Sequence, residues 1–234
     1  MKAIKRITAL ALCALMLLGL LSGCGEKKQG DEKFVLNVSV CNVIDSLDPA
    51  MNTDTDADSV FYALYENLMR ESDDGSGEVT LTNGMAKEYA EETNYDGSVT
   101  YRFTLRSTAR WSDGEKVTAD DFVYAWQRLA DPATDSPNHA LMSVVAGYDE
   151  VRESGDVSLL GVKAKGESTF LVTLSRPCAY FITSVCTSPA TAPLRRDLVE
   201  GNASWAATAD IVTNGPYTAV SYTHLRAHET DSYL

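Results

Sequence analysis

Trp111-Ser-Asp-Gly-Glu-Lys-Val-Thr-Ala-Asp-Asp-Phe-Val-Tyr-Ala-Trp-Gln-Arg128 is the stretch whose reading decides the fold. Ser112, Asp113 and Gly114 supply turn chemistry: short polar side chains that bond nearby main chain, and a glycine that accepts left-handed backbone. Thr118 followed three residues later by Asp121 has the spacing of a capping box, in which the two side chains satisfy main-chain N–H groups that a helix start leaves unmatched. The spacing predicts a helix from Thr118 to about Leu129. Phe122, Trp126 and Leu129 recur at intervals of four and three, with Val123 beside them, so one face carries a heavy apolar load toward a core.

Working outward, residues 34–41 alternate apolar and polar, with Phe34, Leu36, Val38 and Val40 on one side, as a half-buried strand should. Ser46, Leu47, Asp48 and Pro49 break that strand, and a polar run leads into a helix expected over Asp56 to Arg70, where Val60, Leu64 and Leu68 recur every fourth residue. Val99, Tyr101, Phe103 and Leu105 alternate again. Val162 and Ala164 face Phe170, Val172 and Leu174 across a turn at Gly166, Glu167 and Ser168, which predicts a hairpin. Strands and helices mix without regular β-α-β repetition, so the fold class is mixed α/β with interrupted domains. The sequence has no internal repeat.

At the N-terminus, Lys2, Lys5 and Arg6 precede an apolar run from Ile7 to Leu21, and Leu21, Ser22, Gly23 and Cys24 follow. A run this short, with positive charge before it and small residues at its end, fits a secretory segment better than a short membrane anchor, the competing reading. From Gly25 to Lys33 the chain is polar and glycine-bearing, which suits a flexible tether. The formal charge of the whole chain is −13. Nucleic-acid binding needs clustered Lys and Arg and is disfavoured, and an acidic surface does not adhere to anionic lipid. Cysteine usage is sparse. Beyond Cys13 and Cys24 there remain Cys41, Cys178 and Cys186, an odd set; a Cys178–Cys186 bridge in an oxidising compartment stands against free buried thiols, and the absence of a dense cysteine framework favours the latter.

The stretch 111–128, continued by Asp131, Pro132, Thr134, Ser136 and Pro137, closely resembles the extracytoplasmic peptide-binding proteins that feed ABC importers, the oligopeptide/dipeptide branch of solute-binding family 5. Thr213, Asn214, Gly215, Pro216 and Tyr217 resemble the point at which the chain of that family returns to its first subdomain. The resemblance runs from about Phe34 to Tyr217 and implies the incomplete first lobe of a two-lobed clamp, read as an N-terminal fragment of a longer protein. It divides the chain into a lipoprotein signal peptide over 1–23, a tether over 24–33, a discontinuous first subdomain over 34–65 plus 195–220, and a second subdomain over 66–194. The residues from Ser221 onward, 221–234, stop resembling the family and look like the translation of a sequencing-library adapter.

The same resemblance implies a role for individual residues. Cys24 becomes the lipidated first residue of the mature chain, and two or three acyl chains, each burying about 0.8 kcal/mol per methylene, hold a soluble domain at the outer face of the cytoplasmic membrane. An extended oligopeptide would lie between the lobes and pair through its backbone with Thr53, Asp54 and Thr55, while Asn138, Cys186 and Thr187 would line the cleft. At Asn138 relatives carry an aromatic nearby, and at the Cys186–Thr187 corner a histidine, so the pocket chemistry of this chain differs. The expected partners are a peptide ligand, the permease subunits of an ABC importer and the membrane through the lipid anchor, with the protein itself a monomer and without a cofactor. A secreted lipoprotein enzyme, or a sensory peptide receptor on the same scaffold, is the alternative.

Catalytic and metal motifs do not compete with this reading. The sequence contains no Gly-x-Ser-x-Gly elbow, P-loop or Cys-x-x-Cys pair. His224, His228 and Glu229 place two histidines four apart but lack the interior glutamate of a zinc-hydrolase helix. His139 follows Pro137 and Asn138 in a loop and reads as a solvated or helix-start histidine. Asp54, Asp56 and Asp58 alternate like calcium-loop ligands, yet the glycine and distal glutamate of an EF-hand are missing, so they read as an acidic helix start favoured by the helix dipole.

Overall fold

Asp121 does what the capping spacing demands. In the computed structural model its Oδ2 accepts the Thr118 N–H at 2.7 Å and the Thr118 hydroxyl at 3.1 Å, which starts helix α2 (Ala119–Ala130). The same carboxylate also accepts the indole N–H of Trp111 at 3.3 Å, so the turn and the helix of the opening stretch are bolted together. The structure describes residues 35–40, 44, 46–73 and 75–220. The chain divides into two compact units, 1–38 and 39–234, and of the first only residues 35–38 are described. The expected lipidation at Cys24, the tether, Cys41 and the histidines near the C-terminus lie outside the described residues.

In chain order the second unit begins with helix α1 (Thr55–Leu64), then strands β1 (Met69–Asp73), β2 (Val79–Asn83), β3 (Ala86–Thr93) and β4 (Val99–Leu105). Helices α2 and α3 (Tyr148–Ser154) follow, then strands β5 (Val162–Ala164) and β6 (Thr169–Leu174), and a short helix α4 (Arg196–Val199). β1 and β2 form one antiparallel pair, and the other four strands form an antiparallel sheet ordered β3-β4-β6-β5. The alternation read at residues 99–105 is β4, whose odd-numbered residues are all buried. The expected hairpin pairs Val162 with Val172 and Ala164 with Phe170. Mixed α/β architecture thus follows from periodicity alone, whereas β1, β2 and β3 gave no such signal, because all of β2 and nearly all of β3 stay accessible on both faces.

Two expected elements are corrected. Within the alternation over 34–41, the described residues Val35–Val40 form no strand, and Val35 and Leu36 keep 57% and 46% of their surface exposed. Alternation describes only the side chains; a strand also needs a neighbour for its main-chain groups, and among the described residues none pairs with this segment. The helix expected over Asp56–Arg70 ends at Leu64. Tyr65 turns to extended backbone, and residues 69–73 become a strand instead. Asn67 Oδ1 accepts the Leu68 N–H at 2.7 Å, and its amide donates to Ser188 O and Thr191 Oγ1, so side-chain bonds to a distant loop replace the next helical turn.

The core lies between α2 and the inner face of the four-stranded sheet. Trp126 is wholly buried, its indole edge against Phe170 (centroids 5.1 Å, 79°) and Phe181 (6.1 Å, 77°). The Trp126 N–H, which would otherwise be stranded in apolar surroundings, donates to Thr191 O at 2.9 Å. Cys178 and Cys186 are free rather than bridged, and Cys186 is fully buried with its thiol pKa pushed well up by that burial. Because Trp126 combines large apolar burial with a satisfied donor, Trp126→Ala should destabilise the chain by roughly 3–5 kcal/mol in urea titration; a loss under about 1 kcal/mol would place it outside the core.

Candidate functional site

Among the described residues no strand lies beside the segment ahead of α1, which is shaped by side chains. Asp48 caps the short turn Pro49–Met51 by accepting the Ala50 N–H at 3.0 Å, and Arg128 at the end of α2 grips the same carboxylate with both guanidinium arms, at 2.6 and 3.2 Å. A two-point contact of this kind, largely shielded from water, fixes orientation as well as position. Beyond the turn the backbone is extended at Asn52 and Asp54. Asp54 then caps α1 by accepting the Asp56 N–H at 2.9 Å, with Asp56 and Asp58 in the first turn where the helix dipole favours them. The acidic alternation is therefore a helix start.

Five of the six residues expected at a ligand site come together here. Thr53, Asp54, Thr55, Asn138 and Thr187 share the wall of a cavity of about 350 Å³. Thr53 and Asp54 also border a larger open cleft of about 1140 Å³ between this segment, the outer face of α2 and the loop carrying Trp205. Cys186 is not part of the lining; its side chain points into the core, and its main-chain carbonyl accepts the Met69 N–H at 3.0 Å. Thr187 sits on the wall with its hydroxyl donated to Thr183 O at 2.9 Å. Asn138 donates to Ala50 O at 3.2 Å and Asn52 O at 2.6 Å, so its amide holds protein backbone. His139 bonds the Tyr148 hydroxyl through Nδ1 at 2.6 Å, away from the cavity lining.

Sequence reasoning missed Asn52, Asp58, Tyr62, Glu71, Thr183, Ser184 and Ser188, which complete much of the wall. Asp54, Asp58 and Tyr62 recur at the four-residue helical interval and were findable from that spacing. Glu71 was not, since it arrives on β1, where a helix was expected. The wall is acidic: Asp54, Asp58 and Glu71 line it, and among the described residues no lysine, arginine or histidine does. Burial raises the carboxyl pKa of Asp58 above its ordinary value, with the nearby charge of Asp54 adding to the effect and the hydrogen bond from Asn52 opposing it. Main-chain groups divide along the segment. The Asp54 N–H goes to Asn52 Oδ1 at 3.1 Å, and its C=O accepts from Asn52 Nδ2 at 3.0 Å and from the Ala57 N–H at 3.1 Å, whereas no hydrogen bond among the described residues uses the main chain of Thr53.

Comparison with known proteins gives this geometry its context. Residues 80–230 match the sequence model of the bacterial extracellular solute-binding proteins, family 5 Middle. The chain is 37% identical over 179 residues to the periplasmic oligopeptide-binding protein OppA of Escherichia coli K12, covering 75% of this chain and 31% of that protein. It is 32% identical over 232 residues to the oligopeptide-binding protein OppA of Bacillus subtilis 168, covering 94% of this chain and 41% of the relative. Among solved structures it is similar to the substrate-binding domain of an oligopeptide ABC transporter from Bacillus anthracis Ames, with a TM-score of 0.71, 31% identity, and coverage of 81% of this chain and 36% of that one. Haemophilus influenzae OppA in complex with the peptide RPPGFSPFR gives a TM-score of 0.68 at 32% identity, with 78% of this chain and 35% of that chain covered. The chain thus spans between about a third and two fifths of the length of these relatives, and its described fold corresponds to part of a lobe of theirs. The extent of the match along residues 80–230 places this chain in the family 5 bacterial extracellular solute-binding proteins.

Proposed function

We propose that this chain supplies the ligand-presenting part of the first lobe of a lipid-anchored protein that captures oligopeptides outside the cytoplasmic membrane and delivers them to an ABC importer. The observation that carries the reading is the cavity that gathers Thr53, Asp54, Thr55, Asn138 and Thr187 from separate parts of the sequence. A main chain left open at Thr53 offers a peptide backbone a partner that names no side chain, and roomy polar walls accept different residues through bridging water. The acidic lining suits the amino groups and basic side chains of a peptide better than its carboxylates. In this reading the division into a first subdomain over 34–65 plus 195–220 and a second over 66–194 stands, the ligand lies against both, and the protein works as a monomer. Binding and delivery, with no chemical step, make it a transport component and not an enzyme.

A peptide held against one lobe makes half of its backbone pairing and stays wet, yet it still loses its freedom on ordering. Association costs several kcal/mol before any contact counts, so the loss of half the contacts removes orders of magnitude in affinity. Titrated with a mixed library of short peptides, residues 24–220 alone should show no micromolar binding, whereas a protein continued to the full length of its relatives should bind. Micromolar or tighter binding by the shorter chain would overturn the two-lobe clamp.

Anchoring is tested separately. Thioether formation needs the sulfur of Cys24, so Cys24→Ser should leave an unprocessed precursor that takes up no labelled fatty acid in growing cells. Equal label in the wild type and Cys24→Ser would refute the lipid anchor.

A further inference from the structure

We propose that Asn138 is a positioning residue for ligand binding: its amide, acting through Asn52, stands in for a missing strand neighbour and holds residues 50–55 so that the main chain of Thr53 stays open to a peptide. The proposal rests on the peptide-binding reading above and adds to it the device that keeps the pairing edge in shape.

Between the turn at Pro49–Met51 and the first residue of α1 no β-ladder runs alongside among the described residues, and an unpaired extended stretch at a cavity edge loses order unless something else satisfies its main chain. Ser136 and Asn138, from the loop after α2, provide it. The Ser136 hydroxyl donates to Ala50 O at 2.5 Å, and Asn138 donates to Ala50 O and, more closely, to Asn52 O at 2.6 Å. Asn138 is itself set by its own N–H, which donates to Ser136 Oγ at 3.1 Å. With its carbonyl held, Asn52 turns its side chain forward and occupies both main-chain groups of Asp54 while also donating to Asp58 Oδ1 at 2.7 Å. Two amide side chains in series thus take up Ala50 O, Asn52 O and both main-chain groups of Asp54, and leave those of Thr53. An aspartate of the same shape at position 138 has no side-chain N–H to give and would set a charge against two carbonyl oxygens.

Two readouts separate this inference from the reading it rests on. Amide hydrogen exchange of the chain itself, with no ligand, reports the positioning. Asn138→Ala and Asn138→Asp should speed exchange of the Asp54 N–H, the amide that Asn52 Oδ1 holds, by about tenfold, the worth of one or two lost hydrogen bonds, while strands β4 and β6 keep their protection. Peptide titration of the protein continued to the length of its relatives reports the consequence, and both variants should weaken binding by about tenfold or more with an unchanged urea midpoint. Unchanged exchange at Asp54 would overturn the positioning role whatever the peptides do. Faster exchange with undiminished affinity would equally overturn it, by separating the segment's order from binding. If the unsubstituted longer protein bound no peptide, the functional reading itself would fall and this role with it.

Discussion

Asn214 binds the main chain of Glu66 from both sides, accepting its N–H at 3.2 Å and donating to its C=O at 2.8 Å across 148 positions of sequence. That reciprocal pair copies one rung of a β-ladder with a side chain. It sits where α1 ends, and its neighbours close off the helix. The Gly215 N–H donates to Leu64 O at 2.8 Å and the Tyr217 N–H to Ala63 O at 3.0 Å, satisfying carbonyls that a helix end leaves unmatched. A Cβ on residue 215 would lie 2.5 Å from the Leu64 carbonyl carbon and 2.7 Å from Ala63 O, both main-chain atoms, so only glycine permits this approach. On the other side, Thr213 accepts the Ser112 N–H at 2.7 Å and donates its own to Ser112 Oγ at 3.2 Å. Five consecutive residues thereby join the end of α1 to the turn that precedes α2.

The candidate site inherits its geometry from this clasp. α1 is fixed at its C-terminal end by residues 214–217 and at its N-terminal end by the Asp54 cap, and α2 is fixed by Asp121 at one end and by the Arg128–Asp48 pair at the other. The cavity lies between these ties, on a stretch whose backbone is held by side chains instead of a sheet. Such a site can present main-chain groups without a strand partner competing for them. The bonds that hold it are few and local, so single amide substitutions should loosen it while the core around Trp126 stands.

Legibility in the sequence tracked the nature of the contacts. The capped helix, the buried alternation at 99–105 and the hairpin at 162–174 were readable because each is decided by near neighbours and a period. The helix end at Leu64 was not, because it is imposed by Asn214 and Asn67 through bonds to residues more than a hundred positions away, and local spacing had continued the pattern through Leu68. The strand over 34–41 failed for the complementary reason, its side-chain pattern having no described partner. At the site, resemblance supplied Thr53, Asp54, Thr55, Asn138 and Thr187, which share one wall, while Cys186 at the same corner faces the core. What resemblance could not supply was the work each does: Asp54 caps a helix and Asn138 holds backbone, roles that depend on where acceptors lie in space.

The measurement closest to the central claim is the unfolding free energy of Asn214→Ala against the parent chain, by urea titration followed through tryptophan fluorescence. The substitution leaves the buried N–H and C=O of Glu66 without partners, each worth about 1–3 kcal/mol, so the account predicts a loss of roughly 2–6 kcal/mol with an unchanged slope. A loss below about 0.5 kcal/mol, the range of an ordinary surface substitution, would show that the return segment merely lies against α1 and does not hold it.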